Sequence, residues 1–277
     1  MVDYRQNPAV HIFADTEAAL ARMRRTADAA GCRITSALLI GADAEPYARA
    51  LPGAALLIEL EDESDGDAAI PLLDWIRLEA ERGARRGVIS APAGLIDLVA
   101  ARAGHVAIEH LCDASEAERI AAVAGARREP EARLHDSRRE RHFPILQPVP
   151  EEDVAPAGPD EARADAAFIR TMIRARRLRT HYFRADLFAD PAWDMLLDLM
   201  AARLEGKKVA VSSLCIAAAV PPTTALRWIG VLTDGDLVVR VADPEDGRRV
   251  HVEVADATAR ALRVWLRDAR RMAAVAL

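Results

Sequence analysis

Five short apolar runs alternate with helical patterns through the first 128 residues, and this alternation restricts the fold more than any other feature of the chain. The runs are AVHIFAD (Ala9–Asp15), CRITSALLIG (Cys32–Gly41), AALLIEL (Ala54–Leu60), GVIS (Gly87–Ser90) and HVAIEHL (His105–Leu111). Most are apolar at successive rather than alternate residues, as strands buried on both faces require. Between them, TEAALARMRRTADAA, IPLLDWIRLEAERGA and PAGLIDLVAARAG carry apolar residues three or four apart, the spacing of helices packed on a sheet. The second connection, ADAEPYARALPG, is short and only weakly helical. Strand–helix repetition of this kind predicts an α/β domain with a doubly wound, parallel five-stranded sheet, whose chemistry gathers at the carboxyl ends of the strands.

With 277 residues there is room for a second core. From Glu129 to Ala164 the chain is rich in proline and charge and poor in periodic apolar residues, the composition of a linker between domains at 1–128 and 165–277. Charge divides near the same place. Residues 1–162 hold 18 Lys and Arg against 29 Asp and Glu, whereas residues 163–277 hold 19 against 14, so the net −6 conceals −11 followed by +5. Only the second half suits a polyanionic partner.

No stretch of about 18 uncharged apolar residues occurs, and MVDYRQNPAV lacks the basic and apolar regions of a secretory signal. A cytoplasmic protein without a membrane span is expected. Cys32, Cys112 and Cys215 are odd in number and widely separated, so buried thiols are expected rather than disulfides or a zinc site.

Past the linker, DAAFIRTMIRARRLRTHYF (165–183) sets Phe168, Ile169, Met172 and Ile173 on one helical face and Arg170, Arg174 and Arg177 on another. This helix either covers its own domain's core or joins two protomers with its basic side toward phosphates. DPAWDMLLDLMAARLEG follows, with Asp190 placed to cap, Pro191 at the first position and Gly206 to stop. VSSLCIAAAV then reads as a Ser-capped helix broken by Pro221-Pro222, and TTALRWIGVLTDG as a second helix with Leu226, Ile229 and Leu232 inward. LVVRV and RVHVEV alternate as strands joined by an Asp-Pro-Glu-Asp-Gly turn. Helix, turn, helix and hairpin make a mainly α, winged helix-turn-helix domain.

A winged helix reads DNA with short polar or bidentate side chains at the start of its second helix, and Thr223, Thr224 and Arg227 provide them, Arg227 being the candidate for guanine. Ser212 and Ser213 at a helix start, preceded by Lys207 and Lys208, suit phosphate. Arg248 and Arg249 at the hairpin tip suit a minor groove or flanking phosphates, with Asp246 placed to hold one guanidinium in a bidentate pair. Trp193, Trp228 and Trp265 read as packing residues. The last helix carries Leu262, Trp265 or Leu266, Ala269 and Met272 at helical spacing.

Two resemblances sharpen these expectations. LLIELEDESDG resembles the LLDLxMPxxDG of response-regulator receiver domains, and VISA resembles their strand-four Ser/Thr-Ala pair, over about 120 residues. Asp15, Glu59 and Ser90 then form a vestigial receiver pocket. FADT offers Ala14 and Asp15 where that family has two adjacent acids for magnesium, Glu59 stands at the phosphoaccepting aspartate, and the strand-five lysine before proline is absent. The departures imply weak Mg²⁺ binding and no phosphorylation, leaving a docking, dimerisation or constitutively switched module. In the second half, LVVRVADPEDGRRVHVEV resembles the wing GLVxRxxDxxDxRxxxVxLT of the MarR family, with Arg240, Asp243, Asp246 and Arg248 in matching places. The helix-turn-helix matches more loosely, departing at the double proline and at Gly235-Asp236. This second resemblance implies a homodimer made by terminal helices, bound to double-stranded DNA.

No glycine-rich phosphate loop, GxSxG or HExxH occurs, and the seven histidines do not cluster at ligand spacing, so neither an enzyme, a metal nor a cofactor is expected. The expected function is sequence-specific DNA-binding transcription regulation, with signal input by a protein partner at the N-terminal domain. An adaptor whose winged helix has lost DNA is the alternative, and a small-ligand sensor using the carboxyl edge of the first sheet is a third reading.

Overall fold

The computed structural model describes residues 8–41, 54–82, 86–104, 108–127 and 158–275. The described residues fall into two compact units, one of residues up to 127 together with Pro244–Arg249 and one of residues 158–243 and 250–275. The first contains β1 (Ala9–Ala14), α1 (Glu17–Ala29), β2 (Arg33–Leu39), β3 (Ala55–Glu59), α2 (Ile70–Arg82), β4 (Gly87–Ala91), α3 (Ile96–Ala103), β5 (Glu109–Cys112) and α4 (Glu116–Arg127). All its strands run parallel in the order β2-β1-β3-β4-β5, the flavodoxin-type doubly wound arrangement.

Strand periodicity divides the core in two. Val10, Ile12, Leu57, Val88 and Leu111 pack with Leu20, Met23 and Ala27 of α1 and Ala122 and Val123 of α4. On the opposite face Phe13, Leu56, Ile58 and Ile89 pack with Leu72, Leu73 and Ile76 of α2 and Val99 of α3. The central strands β1, β3 and β4 are buried almost throughout, as their continuous apolar runs require. Expected burial fails at β2. It lies at the sheet edge with β1 as its strand neighbour, and Leu38 and Leu39 are 36% and 42% exposed. The connection at residues 42–53, residues 105–107 of the fifth apolar run and most of the expected linker fall outside the described residues.

The second unit contains α5 (Pro159–Leu178), α6 (Pro191–Leu204), β6 (Val209–Ala210), α7 (Val211–Ala217), α8 (Pro222–Asp234), β7 (Val238–Ala242), β8 (Val250–Val254) and α9 (Asp256–Val275). α5 starts inside the stretch read as linker, because Gly158 precedes Pro159 in its first turn and Asp160 and Glu161 favour a helix N-terminus. Ala166, Ile169 and Ile173 of α5 are buried, and Arg170 pairs with Asp198 and Glu205 while Arg176 binds Asp194 at 2.7 Å. Of the basic side, Arg170 is therefore committed to α6, while Arg174 bonds Thr171 within α5 and Arg177 reaches the end of α7. Asp190 caps α6, and Gly206, at φ +67°, ends it as expected. Trp193 and Trp265 meet edge to face at 4.7 Å. On α9 Ala259, Leu262 and Leu266 are buried, whereas Met272, placed in the same stripe from the sequence, is 75% exposed.

α7 and α8 meet at 107°, within the roughly 90–120° of helix-turn-helix pairs. Two sequence-derived details change here. α7 has no serine cap: Ala210 precedes it in extended conformation without a side-chain bond, because Val209 and Ala210 are already paired to β8. The double proline opens α8 rather than ending α7, since α7 stops at Ala217 and turns through Ala219 at φ 54°. Pro222 then occupies a first-turn position, where a missing N–H costs nothing. β7 and β8 form an antiparallel hairpin, giving the sheet β6-β8-β7.

Candidate functional site

Burial of Ala225, Leu226, Ile229 and Leu232 fixes the orientation of α8. Arg227, between those positions, is exposed and makes no hydrogen bond or ion pair among the described residues. Thr223 and Thr224 are half-buried in the first turn, one helical turn before it. Ser212 and Ser213 lie in the first turn of α7, Ser213 exposed and Ser212 half-buried. The two lysines differ. Lys207 binds Glu205 at 2.8 Å, which helps hold that carboxyl below its usual range after the larger effect of Arg170, whereas Lys208 is exposed and unpaired among the described residues.

At the hairpin tip Arg248 and Arg249 are exposed. Asp246 accepts a bond from the Arg248 backbone N–H at 3.0 Å and pairs with Arg249 Nε at 3.3 Å. The expected bidentate pair is thus replaced by one side-chain contact, because the other carboxylate oxygen closes the turn. Two contributors escaped the sequence reading. His251 Nε2 lies 3.6 Å from Asp243 Oδ2 across the hairpin, and Arg177 of α5 donates to the Ala217 carbonyl at the end of α7. Neither follows from local spacing, since each depends on a contact between separate elements.

At the first sheet's carboxyl edge Glu59 and Ser90 line one cleft, whereas Asp15, whose backbone N–H reaches the Glu59 carbonyl at 3.4 Å, does not line it. Glu59 is in register with Ala14 on one side and Ser90 on the other. Its side chain is 4% exposed and accepts from Arg22 Nε of α1 at 2.9 Å. Burial pushes the Glu59 carboxyl above its ordinary range, against the opposing pull of Arg22, Arg119 and Ser90. The Ser90 hydroxyl hydrogen-bonds the same carboxyl and adds the smallest part of that pull. Asp15 is engaged differently, its Oδ2 accepting the backbone N–H groups of Glu61 and Asp62 at 2.7 and 2.8 Å.

Sequence reasoning missed Arg22 and Arg119, which flank this edge from α1 and α4; each is an ordinary surface arginine in its helix until the sheet places it. Arg22 also reaches Glu61 at 3.1 Å, and Arg119 donates to the Ala114 carbonyl. A cleft of about 210 Å³ opens among these groups, lined by Arg22, Glu59, Glu61, Ser90, Asp113 and Arg119. Among the described residues no group of three or more His, Cys, Asp and Glu side chains is placed to hold a metal. The three cysteines are buried and in no disulfide among the described residues, and burial together with Asp113 pushes the Cys112 thiol up to about 11. No single described helix is long and apolar enough to cross a membrane.

No known protein family matches the chain, and neither does any curated protein. Among solved structures, full-length FixJ from B. japonicum is similar at 15% identity and a TM-score of 0.31, over 82% of this chain and 89% of that one. A likeness of that size carries no assignment. The receiver-type fold of the first unit rests on its own strand order and layering.

Proposed function

We propose that the chain is a dimeric, sequence-specific DNA-binding transcription regulator of MarR-like type. The supporting observation is Arg227: α8 projects an exposed, uncommitted guanidinium beside two threonines, on the second helix of a pair joined at 107°. In a reading helix such a side chain is the donor that guanine accepts in the major groove. Lys208 and Ser213 of the same unit supply phosphate contacts, and the hairpin arginines add theirs on releasing the carboxylates they now pair with, Asp67 for Arg248 and Asp246 for Arg249. In this reading the receiver-like unit is an input or dimerisation module without phosphotransfer or other catalysis, since Glu59 is tied to Arg22 and Asp15 is occupied by backbone amides.

The test is selection of fragments of the source genome by the purified full-length protein, followed by salt titration on the strongest fragment. One inverted repeat should be enriched, with Arg227→Ala costing about 1–3 kcal/mol on that site while leaving non-specific binding nearly intact. Uniform weak binding, or none, moves the assignment to a protein-interaction adaptor. Incubation with acetyl phosphate and Mg²⁺ should leave the mass unchanged.

A further inference from the structure

Between α5 and α6 the chain exposes a set of large apolar side chains. Leu178, Tyr182, Phe183, Leu187 and Phe188 all face solvent, Tyr182 at 81%. Single exposed apolar residues need no explanation, whereas a contiguous set marks a contact surface. Ile216 of α7 is exposed as well, and it precedes Ala217, whose carbonyl accepts from Arg177, so the patch extends from the end of α5 onto the helix-turn-helix. Its rings hold one another in place. Phe183 meets Phe188 edge to face at 5.5 Å, and the Arg179 guanidinium lies over the Phe188 ring at 5.1 Å while donating to the carbonyls of Arg176 and Phe188. A surface ordered in advance loses little freedom when it is covered.

The patch is also positive. The guanidiniums of Arg177 and Arg179 hydrogen-bond only backbone carbonyls among the described residues, and with Arg184 they border a cavity of about 70 Å³ beside Phe188. Asp194, which borders the same cavity, and Asp190 are both paired with Arg176. A second copy laid on the same patch would set these arginines against their own kind. Duplex DNA would satisfy the arginines but offer Leu178, Leu187 and Ile216 little apolar surface. A protein segment that interleaves Asp or Glu with Leu or Phe meets both requirements, and Tyr and Arg are the residues on which such contacts most often rest. We propose that this patch docks an acidic amphipathic segment of a partner protein, its apolar side chains on Tyr182, Phe183 and Leu187 and its carboxylates on Arg177 and Arg179. Arg227, Lys208 and the hairpin arginines take no part, so the proposal stands whether or not α8 reads DNA.

Selection from a displayed library of random peptides on the full-length protein tests it, with the double variant Tyr182→Ser, Leu187→Ser as the counter-target. Peptides enriched on the wild type alone should carry acidic residues together with Leu or Phe. The strongest of them, labelled for fluorescence anisotropy, should bind the wild type about tenfold or more tightly than the variant. Replacing its acids with the corresponding amides should cost a comparable factor on the unaltered protein, a result that holds even if the variant folds poorly. No enrichment, enriched peptides without acids, or equal affinity for the variant each overturn the proposal. So does a dimer that the variant loses in sedimentation velocity, which assigns the patch to a second copy. Binding of a single-stranded oligonucleotide that the variant loses assigns it to nucleic acid instead, and equally overturns it.

Discussion

Two buried residues of the first unit illustrate how a single atom can decide stability. A Cβ at Gly87 would lie 2.1 Å from the Leu56 carbonyl oxygen, a backbone atom held by its strand. Gly87→Ala should therefore force β3 and β4 apart and cost about 3 kcal/mol or more, read as a fall in the urea midpoint. Glu59 supplies a pH dependence of its own. Its folded pKa is raised, so below the unfolded value it is protonated in both states and costs nothing. As pH climbs from that value through the folded one, the native chain holds its proton longer and stability falls, with the full cost present above. Glu59→Gln, which imitates the neutral carboxyl, should gain stability over the wild type across that window. Melting curves from pH 4 to 8 check it; a constant difference at every pH would refute the assigned cause.

At the scale of elements, the turn between α7 and α8 contains a removable strain. Ala219 sits at φ 54°, a conformation that costs residues with a Cβ about 1 kcal/mol or more relative to glycine. Ala219→Gly should raise stability by about 0.5–1 kcal/mol, the entropy of the freer unfolded chain offsetting part of the gain, and the urea midpoint measures it. The helix-turn-helix order was readable from the inward spacing of Leu226, Ile229 and Leu232, and the parallel strands from continuous apolar runs. The cap of α7 was not, because Val209 and Ala210 join β8 through a pairing that no local pattern records. Edge position at β2 was similarly hidden: AVHIFAD and CRITSALLIG look alike, and strand order alone decides which is covered twice. Asp15, Glu59 and Ser90 could be placed at strand ends, whereas Arg22 and Arg119 belong to the site only through packing of α1 and α4.

For the whole molecule, charge is separated along the chain, with −11 in residues 1–162 and +5 in residues 163–277. Under the proposed function, affinity for DNA should depend steeply on salt, and Lys208→Ala should lower the slope of log affinity against log salt by about one while weakening all sequences alike. Fluorescence anisotropy over a salt series measures both; an unchanged slope removes Lys208 from the phosphate contacts. The pairing of Val209 and Ala210 with β8 has a wider consequence. It fastens the start of α7 to a strand of the hairpin, and β7 is fastened to the same strand. These strands and the helix start are consequently ordered by folding, so the conformational entropy of arranging them is spent before any partner arrives. Association then loses freedom chiefly in side chains such as Arg227, which favours tight binding from a small contact surface.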